Sequence, residues 1–329
     1  MWFFTSPLYQ EKILGRKPIT VVEESGKQET PDSAAVDQGR GRENSVAEEQ
    51  VEPPMPATAH RDTPGVDIRQ GDVVGSADTV QWDSIVVETD KIICKITERG
   101  GRIVSLRTKE YAYREGMGGN NGGDSLIDML PREHGPGGAN LAIGKQKFDG
   151  RLFELEGEHE RVRITGPEKA SVRLVCTMED GRSVVKTFTF RGDSYRVDHS
   201  VESSLLPGRR VAVGWLAGIR ESESGGDSRQ ARYDKRTVHI FDGKDPERIT
   251  LKEPGEEERT GFYKWVGLTS KYFLVAQVAD TIHDFDVSIY SWTDTTRGGE
   301  DDKKSKLNYG FTMRAVPDES RMDYWFYAF

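Results

Sequence analysis

The chain has 329 residues, 31% of them charged, with a formal net charge of −9. That balance argues against nucleic acid as a main partner, because phosphate binding needs a basic footprint. No run reaches the roughly 18–20 apolar residues of a membrane helix, while the length allows one large or two ordinary domains with a real core.

The chain opens "MWFFTSPLYQ". Trp2, Phe3 and Phe4, then Ser6-Pro7, fit the last turn of an apolar segment meeting water, because aromatic rings tolerate that boundary; an exposed tail is the bland alternative. The stretch is too short for a complete signal peptide. Residues 9–78 are expected to be a disordered acidic linker. Positions 10–79 hold 14 acidic and 8 basic residues, almost no aromatics and no sustained period. Such a segment cannot bury enough apolar surface to offset its ordering entropy.

From Val80 the period is two. "ITERGGRIVSL" is a hairpin through Gly100-Gly101. Two glycine-rich interruptions, Gly116–Asp124 and Gly135–Gly138, follow as flexible loops. Val172, Leu174, Cys176 and Met178 alternate with polar residues before Asp180-Gly181, a hairpin signal because glycine accepts positive φ. A strand over 183–190, a turn at Gly192-Asp193 and an inward row of Tyr195, Val197, His199 and Val201 come next. "RVAVGWLAGI" places Val211, Val213, Trp215, Ala217 and Ile219 on one face. In "KWVGLTSKYFLVAQV", Thr269-Ser270 separates two strands, the second apolar on both faces and so covered on both sides. This many hairpins at regular spacing imply an all-β, antiparallel sandwich or barrel.

Little in the chain points to catalysis. The six histidines form no HExxH or other close ligand pair, and His199 sits on an apolar face, where a core or rim role is expected. "GMGGNNGG" and "ANLAIGKQ" are near-misses of dinucleotide and phosphate loops, and no GxSxG elbow occurs. No catalytic residue, cofactor or metal is assigned. Cys94 and Cys176 lie on apolar faces and read as buried thiols; a disulfide in an oxidising compartment stays open.

Two stretches resemble a known family. "KWVGLTSKYF" is similar to a W-x-G-x-x-x-K-Y-F segment in the large periplasmic domain of YidC-type membrane protein insertases, carried here by Trp265, Gly267, Lys271, Tyr272 and Phe273. "IVVETDKIICKITERGGRIVSLRTKEY" resembles the start of that domain through Glu88-Thr89, Gly100-Gly101, Ser105-Leu106 and Lys109–Tyr111. "MWFFTSP" resembles the end of the first membrane span.

The resemblance implies a β-supersandwich, shaped like mutarotase and sugar-binding modules, held in the periplasm at the bacterial inner membrane. It implies Sec translocon components and nascent membrane proteins as partners. The expected organisation is 1–8 as the remnant of a span, 9–78 as linker, 79–316 as the sandwich and 317–329 as a C-terminal stub suited to a short helix. Trp2, Phe3 and Phe4 would sit at the membrane interface. The chain stops before the family's C-terminal membrane bundle, so insertase activity is not carried over to it. A carbohydrate-binding or mutarotase-like sandwich, using His199, His239 and a carboxylate as acid and base, is the alternative. A secreted or tethered adhesion-type sandwich is a third reading.

Overall fold

The alternation in "SVRLVCTMEDGRSVVKTFTFRGDSYRVDHSVE" becomes three successive antiparallel strands in the computed structural model. The structure describes residues 83–112, 126–131, 136–157, 161–220, 236–280, 285–293 and 307–328. Trp2, Phe3, Phe4, the linker and residues 116–124 lie outside them. Every regular element among the described residues is a strand.

The first eight are β1 (Ser84–Glu88), β2 (Ile92–Thr97), β3 (Arg102–Ala112), β4 (Leu126–Asp128), β5 (Gly138–Ile143), β6 (Gln146–Lys147), β7 (Glu154–Leu155) and β8 (Arg161–Arg163). Next come β9 (Lys169–Thr177), β10 (Ser183–Arg191), β11 (Arg196–Glu202), β12 (Val211–Trp215), β13 (Thr237–Phe241) and β14 (Pro246–Ile249). The last are β15 (Gly255–Arg259), β16 (Trp265–Thr269), β17 (Leu274–Ala279), β18 (Asp286–Thr293), β19 (Leu307–Ala315) and β20 (Arg321–Ala328).

They form two sheets. In the larger, the order is β15-β18-β19-β12-β5-β3-β2-β1-β8, with β4 beside β3 and β6 beside β5. In the smaller it is β14-β13-β16-β17-β20-β11-β10-β9-β7. The inner faces share one core. Trp215 of β12 packs on Phe326 of β20 with ring centroids 5.7 Å apart, and buried apolar side chains from both sheets form one contiguous cluster. Layering is what lets each alternating strand bury one face, at roughly 1.5–3 kcal/mol for each large apolar side chain enclosed. The inward rows expected from the sequence are all buried, from Val172, Leu174, Cys176 and Met178 to Val211, Val213 and Trp215. The fold is therefore the all-β, antiparallel sandwich that the alternation implies.

The C-terminal segment differs from expectation. Residues 321–328 form no helix: they are β20, inserted between β17 and β11. Met322, Tyr324, Phe326 and Ala328 point into the core, and Asp323, Trp325 and Tyr327 point out. A period of two places every second side chain on one face, and here that face completes the core. The sandwich thus continues past residue 316 to Ala328.

One edge carries a parallel pair. β1 runs parallel to β8, with Glu88 opposite Arg163. Glu88 accepts from Arg161 at 2.7 Å, Arg163 at 2.8 Å and Lys109 at 3.2 Å. The arginines on Glu88, then Lys109, hold its carboxyl down at about 2, against a desolvation effect in the opposite sense. A carboxylate whose folded value lies below its ordinary 4.5 contributes stability above that value and loses it as pH falls toward 2. Both arginines are mostly exposed, so screening keeps the contribution small. Glu88→Gln is expected to cost about 1 kcal/mol at pH 6. In denaturant titrations the gap between the two proteins should shrink by pH 2.5; an unchanged gap would show that Glu88 does not act through its charge.

Candidate functional site

Gly100 and Gly101 form the β2–β3 turn with φ of 76° and 54°. Side chains there would collide. A Cβ on Gly100 would lie 2.7 Å from the Asp149 carbonyl oxygen, and one on Gly101 would lie 3.1 Å from Cδ of Lys186. The turn leaves that space for a lysine. Lys186 stands in the inward row of β10 between Val184 and Phe188 and is fully buried. Its Nζ donates to the carbonyls of Gly100 at 2.7 Å, Ala139 at 2.7 Å and Gly101 at 3.3 Å, and it lies 5.1 Å from the Phe153 ring centroid. Ala139 reaches it from a β-bulge between β5 and β12, at φ 61°.

Burial pushes Lys186 down to about 7, and the Asp149 carboxylate opposes that push. Three carbonyl acceptors match the three N–H donors that only the ammonium has. The cage ties a hairpin of the larger sheet to β10, an inner strand of the smaller one.

The second motif divides between two places. Trp265 and Gly267 lie on the outer face of the smaller sheet, where Trp265 is 2% exposed and stacks on Phe241 at 5.6 Å. Lys271, Tyr272 and Phe273 form the β16–β17 tip. The Lys271 Nζ lies 4.7 Å from the Tyr272 ring centroid, Tyr272 is 46% exposed, and Phe273 turns into the core. The motif is not one constellation of side chains around a ligand.

The two described histidines, His199 and His239, do not form an acid–base pair. His199 is buried among Phe188, Tyr324 and Phe326, stacked on Phe188 at 4.2 Å, and neither ring nitrogen has a hydrogen-bond partner. Burial, then the Lys186 charge, holds it well below its ordinary value, so it is neutral. His239 projects from the opposite face of the same sheet, with Nε2 3.0 Å from the Thr237 hydroxyl and 3.1 Å from that of Thr269. Among the described residues this geometry gives the mutarotase-like reading no pair of reacting groups.

The outer face of the larger sheet carries more unmet polar chemistry. Ala142, Ala212, Gly214 and Gly310 make a low floor there, walled by Leu216, Tyr290 and Trp292. Side chains on Gly214 would strike the neighbouring strand, since a Cβ would lie 2.3 Å from the Phe311 carbonyl oxygen. Ser288, Tyr290, Thr312 and Arg314 stand on that face, all buried. The hydroxyls of Ser288 and Thr312 approach Tyr290, but none of the three makes a hydrogen bond of normal geometry, nor does Arg314 Nε. Burial raises the Tyr290 phenol to about 12. Burial works against the Arg314 cation, and the Glu258 carboxylate 2.6 Å from its guanidinium outweighs it. The face therefore carries a close-packed polar cluster, in which the Ser288 and Thr312 hydroxyls lie against Tyr290, and Ser288 and Arg314 lie against Glu258. Pleat position was readable from the sequence; burial on the outward face was not.

Comparison with known proteins adds the following. Residues 84–293 match the family model described as "YidC periplasmic domain". A membrane protein insertase YidC of Chlorobium phaeovibrioides is 28% identical over 209 residues, covering 59% of this chain and 33% of that protein. One from Chlorobaculum tepidum is 26% identical over 257 residues, covering 73% of this chain and 40% of that protein. The chain thus spans a third to two-fifths of the length of these relatives. Among solved structures, a C. elegans aldose epimerase homologue aligns over 76% of this chain and 98% of that one, at 8% identity and a TM-score of 0.41.

Proposed function

The chain belongs to the YidC periplasmic domain family, and from that premise we propose that it is the non-catalytic periplasmic domain of an inner-membrane protein insertase, which docks nascent membrane segments and Sec translocon components. The match over residues 84–293 carries the reading. The outer face of the larger sheet supports docking of an extended segment in particular. Trp292, half-buried on its wall, is the part of it within reach of a segment, and Ser288, Tyr290, Thr312 and Arg314 lie buried beneath. A site of this kind supplies contacts and no reaction.

The test places a photo-reactive phenylalanine analogue at Trp292, on the wall of that face. Ribosome-stalled nascent chains of a membrane protein are presented at inner-membrane vesicles carrying the protein. A crosslink to the nascent chain is expected. No crosslink from Trp292, with the analogue at an exposed site on the smaller sheet reacting normally, would remove this face from the proposal.

A further inference from the structure

A cleft opens between the two sheets where β17 ends and β20 begins. Two short side chains, Ala279 of β17 and Ala315 of β19, leave room there beside Met313 and Met322, and Val213 and Phe285 complete the apolar walls. The cleft holds about 290 Å³ of unfilled space with its mouth included, and its enclosed part admits little more than a water-sized group. Two polar side chains interrupt this lining. Gln277 stands between Val275 and Ala279 in the inward row of β17 and is 1% exposed. Tyr324 stands between Met322 and Phe326 in the inward row of β20 and is 4% exposed. Gln277 lies opposite Phe326 and Ala279 opposite Tyr324, so the two polar residues are diagonal neighbours on one face. Long side chains at such positions reach a shared partner. Gln277 Oε1 and the Tyr324 hydroxyl are buried, and neither has a hydrogen-bond partner among the described residues.

Those two atoms set the chemistry of a guest. An amide oxygen only accepts, so the guest must donate. Burial holds the Tyr324 phenol well above its ordinary value, so it keeps its proton and can donate in turn. A hydroxyl meets both demands with one oxygen, whereas an ether, ester or ketone lacks the proton. A charged head is disfavoured, because burying an unpaired charge is costly. No cation borders the cleft among the described residues, and the Asp323 carboxylate at its edge is already held by Arg321 at 2.9 Å. An apolar cleft with a few convergent polar groups is the usual form of a small-molecule site, and methionine walls adapt to varied shapes. We propose that this cleft binds a small, uncharged amphiphile by its hydroxyl group, with the oxygen seated between Gln277 and Tyr324 and the apolar body in the mouth against Met313 and Met322. The inference is independent of docking on the outer face of the larger sheet, which is the opposite face of that layer.

The test titrates the full chain, with isotope-labelled methionine methyl groups, against n-butanol and against diethyl ether, an isomer that lacks the hydroxyl proton. Nuclear magnetic resonance reads the methyl signals, assigned with Met313→Leu and Met322→Leu. Butanol is expected to move the signals of Met313 and Met322 to a saturating value. Met129 and Met178, buried but not bordering the cleft, should stay in place. The ether should bind about fivefold more weakly, the equivalent of one hydrogen bond of about 1 kcal/mol. Gln277→Met keeps the length of the side chain and removes the acceptor, so the two isomers should then bind alike, with a cooperative melt showing that the variant folds. Tyr324→Phe, which removes the other partner, should weaken butanol by about the same factor. Signals that do not move, that drift without saturating, or that answer both isomers equally in the unaltered chain would overturn the proposal. So would a preference for butanol that survives in Gln277→Met. The first of these results would mean that the cleft takes solvent water only.

Discussion

A chain ending at Val316 is expected not to fold. The segment it lacks supplies β20, which pairs with β11 from Arg196↔Tyr327 to Glu202↔Arg321 and with β17 from Val275↔Ala328 to Ala279↔Tyr324. Without it both neighbours expose an unpaired edge inside the sheet. The core loses the side chains of Met322, Tyr324 and Phe326, all buried. At about 1.5–3 kcal/mol each, those three amount to roughly 5–9 kcal/mol, and domains of this kind have about 5–15 kcal/mol in total. Two lost hydrogen-bond ladders decide the balance against folding. Circular dichroism and thermal melting of the two chains would show it. A truncated chain with a full sheet spectrum and a cooperative melt near that of the longer one would refute the account of β20.

Lys186→Met should be the costliest conservative change in the interior, at about 3–5 kcal/mol. Methionine matches the stem but leaves the Gly100, Gly101 and Ala139 carbonyls without the donor that now reaches all three. It also removes the cation facing the buried carboxylate of Asp149. The expected fall in melting temperature is roughly 10 °C for a domain of this size. Lys186→Arg should be destabilising as well, because a planar fork does not converge on three carbonyls. Chemical denaturation measures both. A cost for methionine below about 1 kcal/mol would mean that water takes the place of the ammonium.

The comparison of sequence with structure turns on which signals are local. Alternation in β9, β10 and β11 gave strands, turns and inward faces, because period two and a glycine with positive φ are properties of a few neighbouring residues. Gly100 and Gly101 stand out in the sequence as motif residues, and their reason is tertiary: the Lys186 stem and the Asp149 backbone fill the space beside them. Lys186 itself was legible in principle, as the one charged member of the Val184–Phe188–Phe190 row, but the carbonyls that accept it come from positions 85 or more, and 47, residues away. β20 is hard to read from the sequence because large aromatics occupy both of its faces, which hides the alternation, and because the family resemblance implies a helix there. The Ser288–Tyr290–Thr312–Arg314 face is ordinary polar pleat in sequence. Its burial depends on surroundings beyond the strands that carry it.

The central position of β20 also constrains when the domain can form. A polypeptide leaves a ribosome, or crosses a channel, amino end first. Strands 11 and 17 are then delivered long before the partner they share, which is made more than 40 residues after β17 ends. Completion waits for the final segment, and sheets closed by such distant pairings assemble slowly. Until then the stretch from Ser84 onward lacks its finished tertiary structure, with the unpaired edges of β11 and β17 open to aggregation.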